Sequence, residues 1–377
     1  MAAGPTPSSR FGLYPTVKQL QRSRASQLTW AGQAAIGPSH DLALGETGVG
    51  NTGPATWPSV RAAIPVACTD MRGMLIVNPN ATTTTVPVRT VITQALSHAL
   101  DLEVVTTTHA GHAQELGARA LAEQLDVVVT LGGDGTINEC VNGLMAQGPG
   151  PKVPALATIP GGSGNVLARS IGFPKDPVAA TAVVLAGIAD HRFRTVSLGV
   201  ANDRWFTMSV GMGLDAEIIA AMDEQRAAGR KASPSRYFAT TLRQYFAGTD
   251  RKNPPARVVI PGAPDVENVF LAIVQNAAPW TFFGDLAVNP NPSANFDEDL
   301  DLFAIQDLRV MPSLRWSRRL LMGSRAGSAR GLTVAHDIDT LTLEAERPTA
   351  VQLDGEALGL MTHVDVRSVR RALRLVV

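Results

Sequence analysis

Residues 126–144 read DVVVTLGGDGTINECVNGL. The apolar run Val127–Leu131 has the look of a buried strand, and it halts on Gly132, Gly133, Asp134, Gly135 and Thr136. A helix-patterned segment begins at once with Ile137. Glycines at such a point let backbone approach a ligand closely, and a new helix offers free N–H groups to an anion. A carboxylate at Asp134 would repel a bare phosphate. It makes sense beside a bridging magnesium ion, or as the base for an attacking hydroxyl, and both needs arise in phosphoryl transfer. A tight turn in which Asp134 caps the next helix is the plain structural alternative.

The surroundings repeat this design. GMLIV predicts a strand closed by the loop NPNATTTT, and LEVVTT a second strand after the helical VRTVITQALSHAL. HAQELGARALAEQ predicts an amphipathic helix before VVVTL, and KVPALATIP a further strand that runs into PGGSGNVLAR. Strands alternating with helices imply a parallel sheet covered on both faces, with ligands at the carboxyl ends of its strands. Three polar loops therefore gather on one edge. The second Gly-rich loop adds Ser163 and Asn165 as neutral hydrogen-bonding groups; an ordinary loop with Asn165 as N-cap is its bland reading. Two such loops favour a nucleoside triphosphate, and without GxxxxGK[ST] this is not a Walker-type loop.

Beyond about residue 190 the rhythm changes to short alternating strands: RFRTVSLGV, RWFTMSVGMGL, ARVVIPG, NVFLAIVQN, LDLFAIQDL, DTLTLEAE, TAVQLDGEA and THVDVRSV. Helical stretches interrupt them at DAEIIAAMDEQ, SRYFATTLRQYF and MPSLRWSRRLLMG. The fold class expected is α/β, with an N-terminal parallel-sheet nucleotide domain over residues 71–190. A C-terminal antiparallel β-rich domain with helical insertions follows over 191–377, its last strand returning toward the first domain. Residues 1–70, rich in Gly, Pro, Ser, Thr and Ala, predict a disordered extension. The GxGxxG match at 48–53 follows no strand and runs into Pro54 and Pro58, so it lacks the context of a dinucleotide fingerprint.

Composition narrows the function classes. The chain is 45% hydrophobic and 18% charged, as in soluble globular proteins. A formal net charge of zero provides no field for gathering nucleic acid, although Arg315, Arg318 and Arg319 form a local basic patch. Two cysteines, Cys68 and Cys140, make neither a CxxC pair nor a disulfide framework, which suits a reducing cytoplasm. No apolar run approaches the roughly 20 residues of a spanning helix, and the N-terminus lacks the apolar core of a secretory signal. Membrane contact would thus be peripheral. The amphipathic RWSRRLLMG and the aromatic Trp280, Phe282 and Phe283 are candidates for it, with ordinary packing as the alternative. His109 and His112 have the spacing of neither a zincin nor a zinc finger. Nothing in the sequence speaks for or against a homodimer.

Taken together the loops resemble the diacylglycerol kinase and sphingosine kinase superfamily, particularly its bacterial lipid kinases, from about Met74 to the C-terminus. IVNPNAT, TTTHAGHAQELGARA, GGDGTINECVNGL, IPGGSGNVLAR, VGMGLDAEII and VQLDGE follow that family's order of motifs. Cys140 stands where valine is usual. The resemblance implies a nucleotide domain similar to phosphofructokinase and NAD kinase, a β-rich lipid domain, and ATP with Mg2+ between them. It implies a nucleotide lining of Asn78, Thr107 or Thr108, Gly132 to Thr136, Asn138, and Gly162, Ser163, Gly164 and Asn165. The candidates for base are Asp134, Asp354 and Glu356. The Asp354–Glu356 pair is favoured for deprotonating a lipid hydroxyl, with Asp134 organising Mg-ATP; the reverse division is the alternative.

Two departures qualify the resemblance. Asn165 is followed by Val166 rather than the aspartate common in bacterial relatives, which tilts toward the sphingosine kinase variant. The accessory magnesium motif has its nearest match at Ala294–Asp301, with Asp297 and Asp299 as candidate ligands and an acid in place of its glycine. A solvated acidic turn is the alternative. The implied function is transfer of the ATP γ-phosphate to a lipid hydroxyl, diacylglycerol first and a sphingoid base or other lipid alcohol next, in phospholipid metabolism. An NAD kinase-like phosphotransferase and a non-catalytic nucleotide- or lipid-binding regulator are the competing readings.

Overall fold

The structure, a computed structural model, describes residues 70–227, 239–241, 243–309 and 328–377. The expected extension before Asp70, the GxGxxG match, the arginine patch, the segment MPSLRWSRRLLMG and part of SRYFATTLRQYF lie outside them.

The chain opens with β1 (Arg72–Val77), α1 (Val86–Ser97), β2 (Asp101–Thr106), α2 (His112–Ala122), β3 (Val127–Gly132), α3 (Asp134–Leu144) and β4 (Ala155–Pro160). The four strands pair in parallel, in the order β2–β1–β3–β4. Every residue of β3 and β4 is buried, because helices cover both faces of a parallel sheet. Alternate side chains divide between the faces. Met74, Ile76 and Val128 pack with Leu116, Ile137 and Leu144 of α2 and α3. Leu75, Val77, Val127 and Val129 pack with Ile92 and Leu96 of α1 and with Val184 and Ile188 of α5 (Pro177–Ala189).

Next come α4 (Val166–Ser170), ahead of α5, and then β5 (Phe193–Ala201), β6 (Arg204–Phe206), β7 (Ser209–Gly213) and α6 (Leu214–Ala227). A π-helical turn, Gln244–Gly248, precedes β8 (Ala256–Val259), β9 (Val266–Val269), β10 (Leu271–Gln275), β11 (Thr281–Phe283) and β12 (Leu286–Val288). The chain closes with β13 (Leu300–Ile305), β14 (Leu332–Ile338), β15 (Thr340–Leu353) and β16 (Glu356–Val376). These strands are antiparallel to one another, and β11 and β12 form a small hairpin of their own apart from the rest. The others join the parallel set in one 14-stranded sheet among the described residues. The junction is β16. Its first half forms a hairpin with β15, its second half pairs with β5, and Leu375 pairs in parallel with Leu156 of β4.

Strand boundaries differ from the expectation where backbone departs from ideal pairing. DTLTLEAE and TAVQL are one strand, β15, whose register shifts between Glu344 and Thr349 around Pro348. A proline that cannot donate to the ladder is accommodated at such a bulge. THVDVRSV and the last expected strand, which ends in LRLVV, likewise fuse into β16, bulged between Val369 and Leu373 where Arg371 has φ 53°. RWFTMSVGMGL instead splits into β6 and β7. Among the described residues no helix is long and apolar enough to cross a membrane.

α2 and α3 cross closely over the sheet because glycines line the contact. A Cβ on Gly117 would stand 2.5 Å from the Cys140 carbonyl oxygen, and one on Gly143 would overlap the Gln114 carbonyl oxygen and lie 2.7 Å from the Ala118 nitrogen. Gly143→Ala must therefore push α3, and the loop at its head, away from α2. The expected loss is about 1–3 kcal/mol of stability in a denaturant melt. Gly150→Ala, where a Cβ meets open space, is the control that leaves the midpoint nearly unchanged.

Candidate active site

The three loops do meet at the carboxyl edge of β1, β3 and β4. Asn78, just past β1, donates its backbone N–H to the Leu131 carbonyl and its side-chain amide to Thr136 Oγ1 at 2.9 Å. Gly161 N–H donates to the Gly132 carbonyl, so the two Gly-rich loops run side by side. Their contact needs glycine: a Cβ on Gly162 would sit 2.7 Å from the Gly133 Cα. Asn165, with φ 49°, accepts from Gly162 N–H and donates to the Gly162 carbonyl. Its side chain closes its own loop and does not cap α4. Ser163 is exposed at the loop tip, with Gly164 beside it.

Asp134 is the first residue of α3, and it caps neither that helix nor itself; its Oδ1 accepts from Leu167 N–H at 3.3 Å. It is half-buried, with protein packed densely about the carboxyl. Burial raises its pKa to about 6, and the Asp354 charge adds to the rise, against backbone N–H groups of α4 that lower it.

The turn Asp354–Glu356 between β15 and β16 reaches the same place. Asp354 Oδ2 accepts from Thr207 N–H (2.8 Å), Thr207 Oγ1 (2.9 Å) and Asn138 Nδ2 (3.0 Å), and Oδ1 from the N–H groups of Met208 (2.8 Å) and Ser209 (3.0 Å). Asn138, buried on α3, also donates to the Trp205 carbonyl. Glu356 lies over Gly135 so closely that a Cβ there would overlap its Oε1. Burial raises the Glu356 pKa, while Arg204 opposes the rise. Arg204 Nη2 reaches Glu356 Oε2 at 3.2 Å and Asn138 Oδ1 at 3.3 Å. Beneath the turn, Gln352 accepts from Gly355 N–H and donates to Asp215 Oδ2 at 2.8 Å. Asp215 is buried, and its pKa is pushed up to about 7 by desolvation.

The other candidates have partners of their own. Thr107 donates its N–H to the Val77 carbonyl at the end of β1, and the Thr108 hydroxyl is engaged by His109 and His112, whose rings stack. Asp297 pairs with Arg194, and Asp299 with Arg370. Among the described residues no three His, Cys, Asp or Glu side chains are grouped to hold a metal. Cations of the chain itself thus occupy the carboxylates expected to ligate an accessory ion. Arg204, Thr207, Gln352 and Asp215 are the members of the site that sequence reasoning missed. Asp215 alone carried a signal, the VGMGLDAEII motif; the others depend on strand pairing.

A raised carboxylate pKa costs stability as pH climbs. The folded state holds the Asp134 proton up to about pH 6 and the unfolded chain releases it near 3.8. Asp134→Asn should therefore stabilise the unliganded protein by about 1–3 kcal/mol above pH 6, with no gain below pH 4. Thermal melts across this range read the difference.

Residues 72–201 match the family model described as the diacylglycerol kinase catalytic domain. The diacylglycerol kinase of Bacillus subtilis (strain 168) is 40% identical over 84 residues, 22% of this chain and 27% of that protein. Sphingosine kinase B of Dictyostelium discoideum is 36% identical over 91 residues, 23% of this chain and 12% of that protein. These matches span about a quarter or less of the curated relatives' length. A crystal structure of a diacylglycerol kinase from Bacillus anthracis str. Sterne superposes with TM-score 0.61 at 22% identity, over 81% of this chain and 96% of that one, which shows a shared fold. On these grounds residues 72–201 carry a diacylglycerol kinase catalytic domain by family match, and the chain is similar there to both diacylglycerol kinases and sphingosine kinases.

Proposed function

We propose that this protein is an ATP-dependent lipid kinase that phosphorylates a lipid hydroxyl, with diacylglycerol as the first substrate and a sphingoid base as the second. The observation that carries the reading is the meeting of Asp134, Gly135 and Glu356 where β1, β3 and β4 end. Residues 71–190 form the nucleotide domain in this reading, and 191–377 the lipid domain. The sphingoid alternative draws on Val166 after Asn165 and on the likeness to sphingosine kinase B.

The residues suit a magnesium-bound nucleotide. Gly133, Gly162 and Gly164 leave a surface of bare backbone beside Asp134, and a Cβ at Gly164 would stand 2.9 Å from its Oδ2. Asp134 is the oxygen ligand that a hard cation prefers. Bound Mg-ATP supplies the transferable phosphoryl group and neutralises its charge. Exposed Ser163 and the backbone N–H groups of both loops orient the phosphates.

Glu356 takes the proton of the acceptor hydroxyl at Oε1, the oxygen that faces Gly135. A carboxylate suffices, because a loose transition state asks little activation of the nucleophile. Asp354 anchors the turn, since its two oxygens already accept five hydrogen bonds. Membrane contact in this scheme is peripheral, and the lipid enters from the bilayer.

The test is transfer of labelled γ-phosphate from Mg-ATP to diacylglycerol, monoacylglycerol, sphingosine, ceramide and phosphatidylinositol in mixed micelles, with NAD as soluble control. Glu356→Gln is expected to lower kcat by about 10²–10⁴-fold, and Asp134→Asn to abolish turnover. Asp354→Ala is the poorer probe, because it strands five donors and so disturbs the fold. Labelled NADP would replace the lipid reading, and ATP binding without any product would favour the regulator. Full activity in Glu356→Gln would remove that residue from the base role.

A further inference from the structure

Arg204 reaches the site on a rigid support. Asn202 and Asp203 form a two-residue turn between β5 and β6, with Ala201 paired to Arg204 and Asn202 at φ 52°. Left-handed backbone at that position suits a tight hairpin turn. The turn is pinned to β16: Asn202 N–H donates to the Asp365 carbonyl, and Asn202 Oδ1 accepts from Asp365 N–H. Asn138 is equally fixed, since its amide nitrogen is engaged by Asp354 and the Trp205 carbonyl. Its oxygen therefore faces Arg204. The guanidinium spans the gap between that oxygen and Glu356 Oε2, with distances of 3.3 and 3.2 Å.

The charges around Glu356 show why a cation is needed. Glu139 comes from α3, Asp354 from the same turn and Asp223 from α6, and all three disfavour its ionised form. Arg204 is the cation that opposes them. One guanidinium nitrogen, Nη2, serves the amide oxygen and the carboxylate together, and the planar group holds that nitrogen in a fixed orientation that a flexible lysine ammonium does not.

We infer that Arg204 is a positioning residue for phosphoryl transfer, clamping the Glu356 carboxylate against α3 through Asn138 so that its other oxygen faces Gly135. This rests on the reading of Glu356 as the group that accepts the hydroxyl proton. The clamp holds Oε2 and leaves Oε1 for the substrate. It also opposes the rise that burial and the acidic neighbours impose on the Glu356 carboxyl.

The experiment uses the full chain with glutamate labelled by ¹³C at the side-chain carboxyl. The Glu356 resonance is assigned by its disappearance in Glu356→Gln. In Arg204→Ala the Glu356 titration midpoint should move up, and in Arg204→Lys it should stay near wild type. The acid limb of the kcat/KM–pH profile should follow. Relative to wild type, Arg204→Ala should lose about tenfold more activity at about pH 6 than at about pH 8.5. Arg204→Lys should lower kcat several-fold at every pH with KM for ATP nearly unchanged.

An unmoved midpoint in Arg204→Ala, or a loss of activity independent of pH, overturns the inference. Matching positions of the other glutamate resonances verify the fold, and Arg204→Gln replaces Arg204→Ala if they do not match. Absence of lipid phosphorylation, or full activity in Glu356→Gln, would instead defeat the functional reading, while the carboxyl titration still decides whether Arg204 governs Glu356.

Discussion

The site depends on one carboxylate that is never free. Asp354 gathers the N–H groups of Thr207, Met208 and Ser209, the Thr207 hydroxyl and the Asn138 amide. Those donors belong to three separate pieces of chain: the link between β6 and β7, the start of β7, and helix α3. A single side chain thus joins the β15–β16 turn to the helix that heads the nucleotide loop. Because charge-assisted hydrogen bonds are the strong ones, this is a firm joint. It also explains why Glu356, two residues on, arrives over Gly135.

Around that joint lie carboxyl groups that the protein would rather keep neutral. Asp134 and Asp215 are raised by burial, and Glu356 is raised despite Arg204. Such a collection is a cost to the folded state, and it clusters where chemistry is done. Stability and function therefore pull against each other at this edge of the sheet. In the acidic turn at Asp297–Asp301 burial likewise raises Asp301, but Arg370 holds Asp299 low. There Arg194, Arg370 and His336 meet the carboxylates one by one.

Much of this was legible in the sequence because it is local. Strand, Gly-rich turn and helix follow one another within a few residues in GGDGT and PGGSGN, so type and placement could be read from periodicity and loop composition. What was not legible depends on contacts far apart along the chain. Arg204 meets Glu356 across 152 positions, and Gln352 meets Asp215 across 137. Nothing in DRWF or VQL distinguishes those side chains from ordinary strand residues. The strands β11, β12 and β14 also escaped, two of them being only three residues long. The long strands β15 and β16 were read as fragments, since bulges interrupt the alternation on which such readings rest.

The bulge at Arg371 has a mechanical meaning. β16 runs without interruption from the Glu356 turn to Val376 and is laced to β15, β5 and β4 along the way. A ribbon bonded on both edges resists bending, and swinging one half away from the other would sever ladder bonds. Those ladders are interrupted between Val369 and Leu373 against β5, and against β15 between Glu344 and Thr349 and between Val351 and Gln352, so these are the points where the ribbon has fewest bonds to resist bending.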